Sequence, residues 1–134
     1  MPYTLLADSA AGSLFAAGEV DAVLVGADRI AADGSVANKV GTYPLAVLAR
    51  HHGVPFLVVA PVTSVDLATP DGSSIEVEQR PASEVTDVAP SPLGAQAYNP
   101  AFDVTPPDLV TAIVTENGVI SPVTAESLAA LREK

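Results

Sequence analysis

The 134-residue chain has no cysteine. Disulfides, thiolate metal sites, iron–sulfur clusters and cysteine nucleophiles are therefore excluded from whatever these residues do on their own. The redox compartment stays unread. Basic residues are scarce as well, 6 against 16 acidic, for a formal charge of −10. A surface this negative repels nucleic-acid phosphates and anionic membranes, which argues against both as partners. No stretch approaches the roughly 20 consecutive apolar residues that cross a bilayer, and no basic region with a long apolar run opens the chain. The expected class is a soluble cytoplasmic protein.

What is present is apolar material, 49% of residues, enough for the core of one domain of ordinary size. Two runs rich in β-branched residues end in polar or turn residues: Val20 to Val25 before Gly26-Ala27-Asp28, and Val54 to Val59 before Ala60-Pro61. A weaker run, Tyr3 to Ala7, ends at Asp8. Helix-compatible segments lie between them, Ala10 to Ala17 closed by Gly18 and Tyr43 to His52 closed by Gly53. Strand, helix, strand, helix, strand predicts a Rossmann-like α/β fold, a mostly parallel sheet with helices on both faces. Ligands in such sheets bind beyond the carboxyl ends of the strands, where Asp8 and Asp28 both fall.

Beyond Pro61 the pattern changes. "SSIEVEQR" alternates and reads as a peripheral strand after the Pro70-Asp71-Gly72 turn. The proline-rich stretch from Pro81 to Pro107 reads as a loop over the sheet. A helix is expected over Leu109 to Thr115 with the paired prolines at its opening. Asn117-Gly118 marks a turn. A terminal helix follows from Thr124 to Lys134, with Thr124 as cap and Ser127 at the position where a capping box carries Glu or Gln.

Asp28 is the first candidate for chemistry. A carboxylate at the end of a buried strand is partly desolvated, which suits it to exchange protons near neutrality. The plainer alternative is a cap on the following turn. Arg29 could hold that carboxylate or a phosphate, or simply face solvent. In "SVANKVGTYPLAVLA", Thr42 is a suitable N-cap and Pro44 sits harmlessly in the first turn. Asn38 and Lys39 then stand at a helix opening, whose free amides and positive dipole end favour an anion such as a sugar phosphate. The alternative is a solvent-facing lysine. Gly41 permits close backbone approach. His51 and His52 suit a helix C-terminus. Asp66, Asp71, Glu76 and Glu78 lack metal-ligand spacing and read as a solvated face. Tyr98 and Phe102 could cover a site or an interface, and Asp103 is a secondary candidate for the same pocket or a cap.

"VDAVLVGADRIAADGSVANKVGTYPLAVLARHHGVPFLVVAP" and "YNPAFDVTPPDLVTAIVTENG" resemble the C-terminal part of the methylthioribose-1-phosphate isomerase family, from about Thr4 to Gly118. That family is related to ribose-1,5-bisphosphate isomerase and to regulatory subunits of the guanine-nucleotide exchange factor of translation initiation. The resemblance implies the Rossmann-like C-terminal catalytic domain, here residues 1–134, of a homodimeric methionine-salvage enzyme. It implies conversion of 5-methylthio-α-D-ribose 1-phosphate to 5-methylthio-D-ribulose 1-phosphate without a redox cofactor or metal. Asp28 falls on the family's active-site aspartate, and Asn38 and Lys39 on its substrate-binding pair. The family's catalytic cysteine and phosphate-binding arginines belong to an N-terminal portion with no counterpart here. Met1-Pro2 is thus expected to mark a fragment boundary, a split subunit or an artificial start, and the isolated chain is expected to be inactive. The rival expectations are a non-catalytic sugar-phosphate or nucleotide-binding module, activity on ribose 1,5-bisphosphate, and a dimerisation domain built on "YNPAFDVTPPDL".

Overall fold

The computed structural model describes residues 1–88 and 91–134. In chain order the elements are α1 (Ala11–Ala16), β1 (Val23–Val25), β2 (Arg29–Ala31), β3 (Val36–Lys39), α2 (Thr42–His52), β4 (Phe56–Val59), β5 (Val65–Asp66), α3 (Ser83–Thr86), β6 (Phe102–Thr105), β7 (Ala112–Thr115), β8 (Gly118–Ile120) and α4 (Ala125–Arg132). The strands form two four-stranded sheets, ordered β1-β4-β7-β8 and β5-β2-β3-β6. The α/β expectation holds. Its parallel character resides in the first sheet, where β4 pairs in parallel with both β1 and β7, and only the β7–β8 hairpin runs antiparallel. In the second sheet only the β2–β5 pair is parallel, and β3 pairs antiparallel with β2 and β6.

The core lies on one face of the first sheet. Val23, Val25, Phe56, Val58, Ile113 and Ile120 share that face by register, and Phe15, Ala46, Ala49, Leu128 and Leu131 of the three longer helices join the same cluster. Full burial of a side chain such as Phe56 contributes about 1.5–3 kcal/mol. Ala46 and Ala49 let α2 lie close against the strands. The expected helical cover is thus present on one face. On the other, Leu24, Val59 and Val119 are 66%, 46% and 63% exposed.

Three local expectations are corrected. Tyr3 to Ala7 is exposed chain with no ladder partner among the described residues, and an isolated extended segment has nowhere to place its backbone hydrogen bonds except water. The segment expected as a helix over Leu109 to Thr115 is a 3-10 turn, Pro107–Leu109, followed by β7. Its β-branched Ile-Val-Thr run pairs Val114 with Val59, and the parallel ladder overrides the short apolar ambiguity. "SSIEVEQR" makes only an isolated antiparallel bridge, Gln79 to Pro100, flanked by Arg80 N donating to Asn99 O and Ala101 N to Glu78 O; Pro100 has no N–H with which to extend the ladder. Of the proline-rich stretch, Ala89 and Pro90 lie outside the described residues. The α4 cap is as expected: Ser127 N donates to Thr124 Oγ1 (3.1 Å) and Thr124 N donates to Ser127 Oγ (3.0 Å).

The β2–β3 hairpin carries the residues of interest, and Asp33-Gly34 closes it. Gly34 has φ +94°, and an added Cβ would stand 2.6 Å from Val123 Cγ1 and 3.1 Å from Pro107 Cβ. Gly34→Ala is expected to destabilise the protein, by about 1–2 kcal/mol from the left-handed backbone and about 1–3 kcal/mol more from overpacking. Chemical denaturation measures the loss; an unchanged midpoint would contradict this turn geometry.

Candidate functional site

The hairpin aligns three polar residues across the second sheet. Arg29 faces Ala37 by register, so Asp28, one residue earlier, stands opposite Asn38, and Asp28 N donates to Ala37 O (2.9 Å). Asn38 in turn faces Asp103 of β6. Asp28, Asn38 and Asp103 therefore lie in one row although 75 positions separate the first from the last (103 − 28). Asp28 itself is exposed, contrary to the expected desolvation. The reason is that β1, which leads to it, is the edge strand of the first sheet and is itself only partly buried.

Asn38 and Lys39 belong to β3 rather than to a loop or helix opening. Consecutive strand residues project to opposite faces, so the two side chains part company. Asn38 Nδ2 donates to Thr42 Oγ1 (3.0 Å), and Thr42 Oγ1 donates to the Lys39 carbonyl (2.7 Å). A hydroxyl has one proton, and a carbonyl can only accept it. Thr42 must therefore accept from Asn38, which sets the Asn38 amide with its nitrogen toward Thr42 and leaves Oδ1 without a hydrogen-bond partner among the described residues.

Thr42 is not the cap that the sequence suggested. Gly41 occupies that position with φ +107°, and Thr42 is the first helical residue. Nothing stands within 4 Å of a Cβ built on Gly41, so this glycine serves the backbone conformation and not a close approach. The cap comes from 60 residues away: Asp103 accepts from Tyr43 N through both carboxylate oxygens (3.1 Å each) and from Gly41 N through Oδ2 (2.8 Å). Pro44 has no N–H. The amides expected to await a phosphate at this helix end are thus largely engaged by the protein itself.

Lys39 is exposed and lines a groove of about 580 Å³ together with Leu6, Asp8, Pro44, Leu45 and Leu48. Asp28 lines a separate hollow of about 280 Å³ with Arg29, Ala37, Ile75, Glu76 and Phe102. Asp28 and Lys39 thus line different hollows. Among the described residues the ion pairs are Arg29–Asp66 (3.9 Å) and those of Arg80 with Glu78 (3.5 Å) and Glu84 (2.8 Å). Lys39 belongs to none of them. Arg29 turns to Asp66 and not to Asp28; hydrogen bonds from Thr69 and the Ala68 amide hold Asp66 below the usual carboxylate range, with help from Arg29. The Glu84 carboxyl is lowered mainly by Arg80 and Asn99, and Lys39 adds to the effect. His51 and His52 are exposed in the last turn of α2, and the His52 ring stacks on Phe15 with centroids 5.8 Å apart.

The sequence reading missed the β2–β3 hairpin; for Asp103 it held a cap as the alternative to a pocket role, which the structure shows, but not which helix is capped. Asp33-Gly34 was a usable signal for the first, since that dipeptide favours tight hairpin turns. No local signal existed for the second.

Fold and site define an α/β domain with an ordered amide, carboxylates and, among the described residues, a lysine outside the ion pairs near its strand ends. The chain belongs to the Initiation factor 2 subunit family, which it matches over residues 1–122. It is similar to methylthioribose-1-phosphate isomerase from Thioalkalivibrio sulfidiphilus, 58% identical over 123 residues that cover 90% of this chain and 35% of the relative. Among solved structures, 5-methylthioribose 1-phosphate isomerase from Pyrococcus horikoshii superposes with a TM-score of 0.93 at 46% identity, covering 99% of this chain and 38% of that one. The translation initiation factor eIF-2B subunit delta from A. fulgidus gives 0.90 at 41% identity, covering 98% and 39%. The chain therefore spans well under half the length of these relatives.

Thr42→Val removes the hydroxyl at nearly constant volume and should release the Asn38 amide. With Thr42 buried and Asn38 partly so, the expected stability loss is about 1–3 kcal/mol. The Asn38 side-chain NH2 resonances should move toward free-amide positions in NMR spectra; if they stay in place, the relay through Thr42 is refuted.

Proposed function

We propose that this chain carries the C-terminal part of the active site of an aldose–ketose isomerase that converts 5-methylthio-α-D-ribose 1-phosphate to 5-methylthio-D-ribulose 1-phosphate in methionine salvage. The observation that carries the reading is the ordered Asn38 amide in register with Asp28 and next in sequence to the unpaired Lys39. The 58% identity to a relative of that name supports the substrate assignment.

In the reaction the ring C1–O bond breaks and the ring oxygen gains a proton. The hydrogen on C2 ends on C1, and the C2 hydroxyl loses its proton to become the ketone. Asp28 is the acid/base group for the ring oxygen or a hydroxyl. Asn38 Oδ1 orients a sugar hydroxyl, and the Lys39 ammonium meets phosphate or developing oxyanion charge. No redox cofactor or metal takes part. The remaining phosphate ligands and the cysteine come from an N-terminal portion of the protein, which works as a cytoplasmic homodimer.

A second reading is favoured by the likeness to the A. fulgidus protein described as an initiation-factor subunit: a non-catalytic sugar-phosphate or nucleotide-binding module. The acid/base role of Asp28 separates the two, since binding alone does not require it.

Ketose formation from methylthioribose 1-phosphate is the test, with the chain alone and with the N-terminal part of a longer relative added. Activity is expected only in the mixture, and Asp28→Asn should lower it by about 10²–10⁴-fold. An associated mixture that binds the sugar phosphate without turning it over would favour the binding module.

A further inference from the structure

We infer that Asp103 is a positioning residue for the sugar-phosphate site: it holds the turn from β3 into α2 so that the Asn38 amide keeps its ligand-facing orientation. The inference rests on the isomerase reading for its kinetic consequence only; its structural consequence stands independently.

The turn is short and has to be held from outside. Val40 and Gly41 alone join the end of β3 at Lys39 to the start of α2 at Thr42. Gly41, at φ +107°, is the most permissive residue in it, so the local chain does little to fix the angle of the helix. Asp103 supplies the constraint from both sides. Its backbone pairs with Asn38 in the β3–β6 ladder, while its side chain takes the amides of Gly41 and Tyr43. One residue thereby ties the strand position of Asn38 to the first turn of the helix that contains its partner Thr42. Val40 N adds a third tie by donating to Ala101 O (3.2 Å).

The carboxylate is required as such. Both of its oxygens accept, and they accept only from N–H groups, at a helix end where negative charge is favoured. An asparagine of the same shape would turn an NH2 toward one of those donors. The hydroxyl of Thr42 would then be free to shift away from Asn38, and the Asn38 amide would lose the partner that orients it.

The arrangement also decides where a ligand anion is met. Asp103 already satisfies the open end of α2, so a phosphate approaching there would face a carboxylate. Lys39, lining the groove and in no ion pair among the described residues, is the group left to receive it.

Asp103→Asn is the test, with Thr124→Ala as the comparison because it removes a helix cap on α4, away from this turn. In the chain, hydrogen exchange at the Gly41 and Tyr43 amides and the Asn38 NH2 resonances are read first. Asp103→Asn should speed the exchange and shift the resonances, and Thr124→Ala should do neither. In the mixture with the N-terminal part, Asp103→Asn should lower kcat by roughly 10- to 100-fold with little change in KM, while Thr124→Ala leaves both alone. Unmoved Asn38 resonances in Asp103→Asn overturn the inference. So does a kcat equal to that of Thr124→Ala, which would make Asp103 a structural cap only. Absence of activity in an unsubstituted mixture whose parts associate would overturn the isomerase reading instead, and the resonances would still decide the role of Asp103.

Discussion

Asp103 leaves β6 of the second sheet and takes two amides at the start of α2, the helix that packs across β1 and β4 of the first. That carboxylate ties the strand that carries Asn38 to the helix that carries Thr42. A charge-assisted bond to an amide is stronger than a neutral one, and here a single partly buried group accepts at both oxygens. The two sheets have few other polar connections of this length among the described residues; another is Glu116 beyond β7, which accepts from Val62 N at 2.8 Å. In each case an acidic side chain accepts from a backbone donor far away in sequence. The acidic composition thus has a structural use as well as an electrostatic one.

The same composition makes cations informative. Of the six basic residues, Arg29 and Arg80 are paired with carboxylates, and Arg50 donates to the Asp108 carbonyl. Arg132 lies in the last turn of α4, where it suits the helix dipole, and Lys134 ends the chain. Lys39 is left at the mouth of a groove with apolar walls. A long-range negative field repels anions in general, so an anionic ligand must be met by a local positive group close enough to outweigh it. Lys39 and Asp8 both line that groove.

Much of the first sheet was legible. The β1 and β4 runs, the two helices between and before them, the Asn117-Gly118 turn and the α4 cap all announce themselves through local hydrophobicity and turn chemistry. The segment around Ile113 was not, because a four-residue apolar run does not distinguish strand from helix until a parallel neighbour is present. The candidate residues were legible as residues but not as a constellation. Asn38 and Lys39 read as a pair because they are adjacent in sequence, yet a strand sends neighbours to opposite faces. Asp28 read as desolvated because the run before it is apolar, yet β1 is an edge strand and leaves the carboxylate in water.

The sequence by itself determined the α/β class, the lack of cysteine among these residues, the acidic field and the identity of the polar groups at the strand ends. Those follow from composition and from periodicities that extend over a few residues. Only the tertiary structure decided that Asp28, Asn38 and Asp103 share a row, that Asp103 caps α2, and that Lys39 and Asp28 open into different hollows. Those depend on strand register and on contacts between residues 60 or more positions apart. The β2–β3 register follows from its turn, but that of β3 with the distant β6 is fixed by the packing of whole faces, and no short stretch of sequence contains that information.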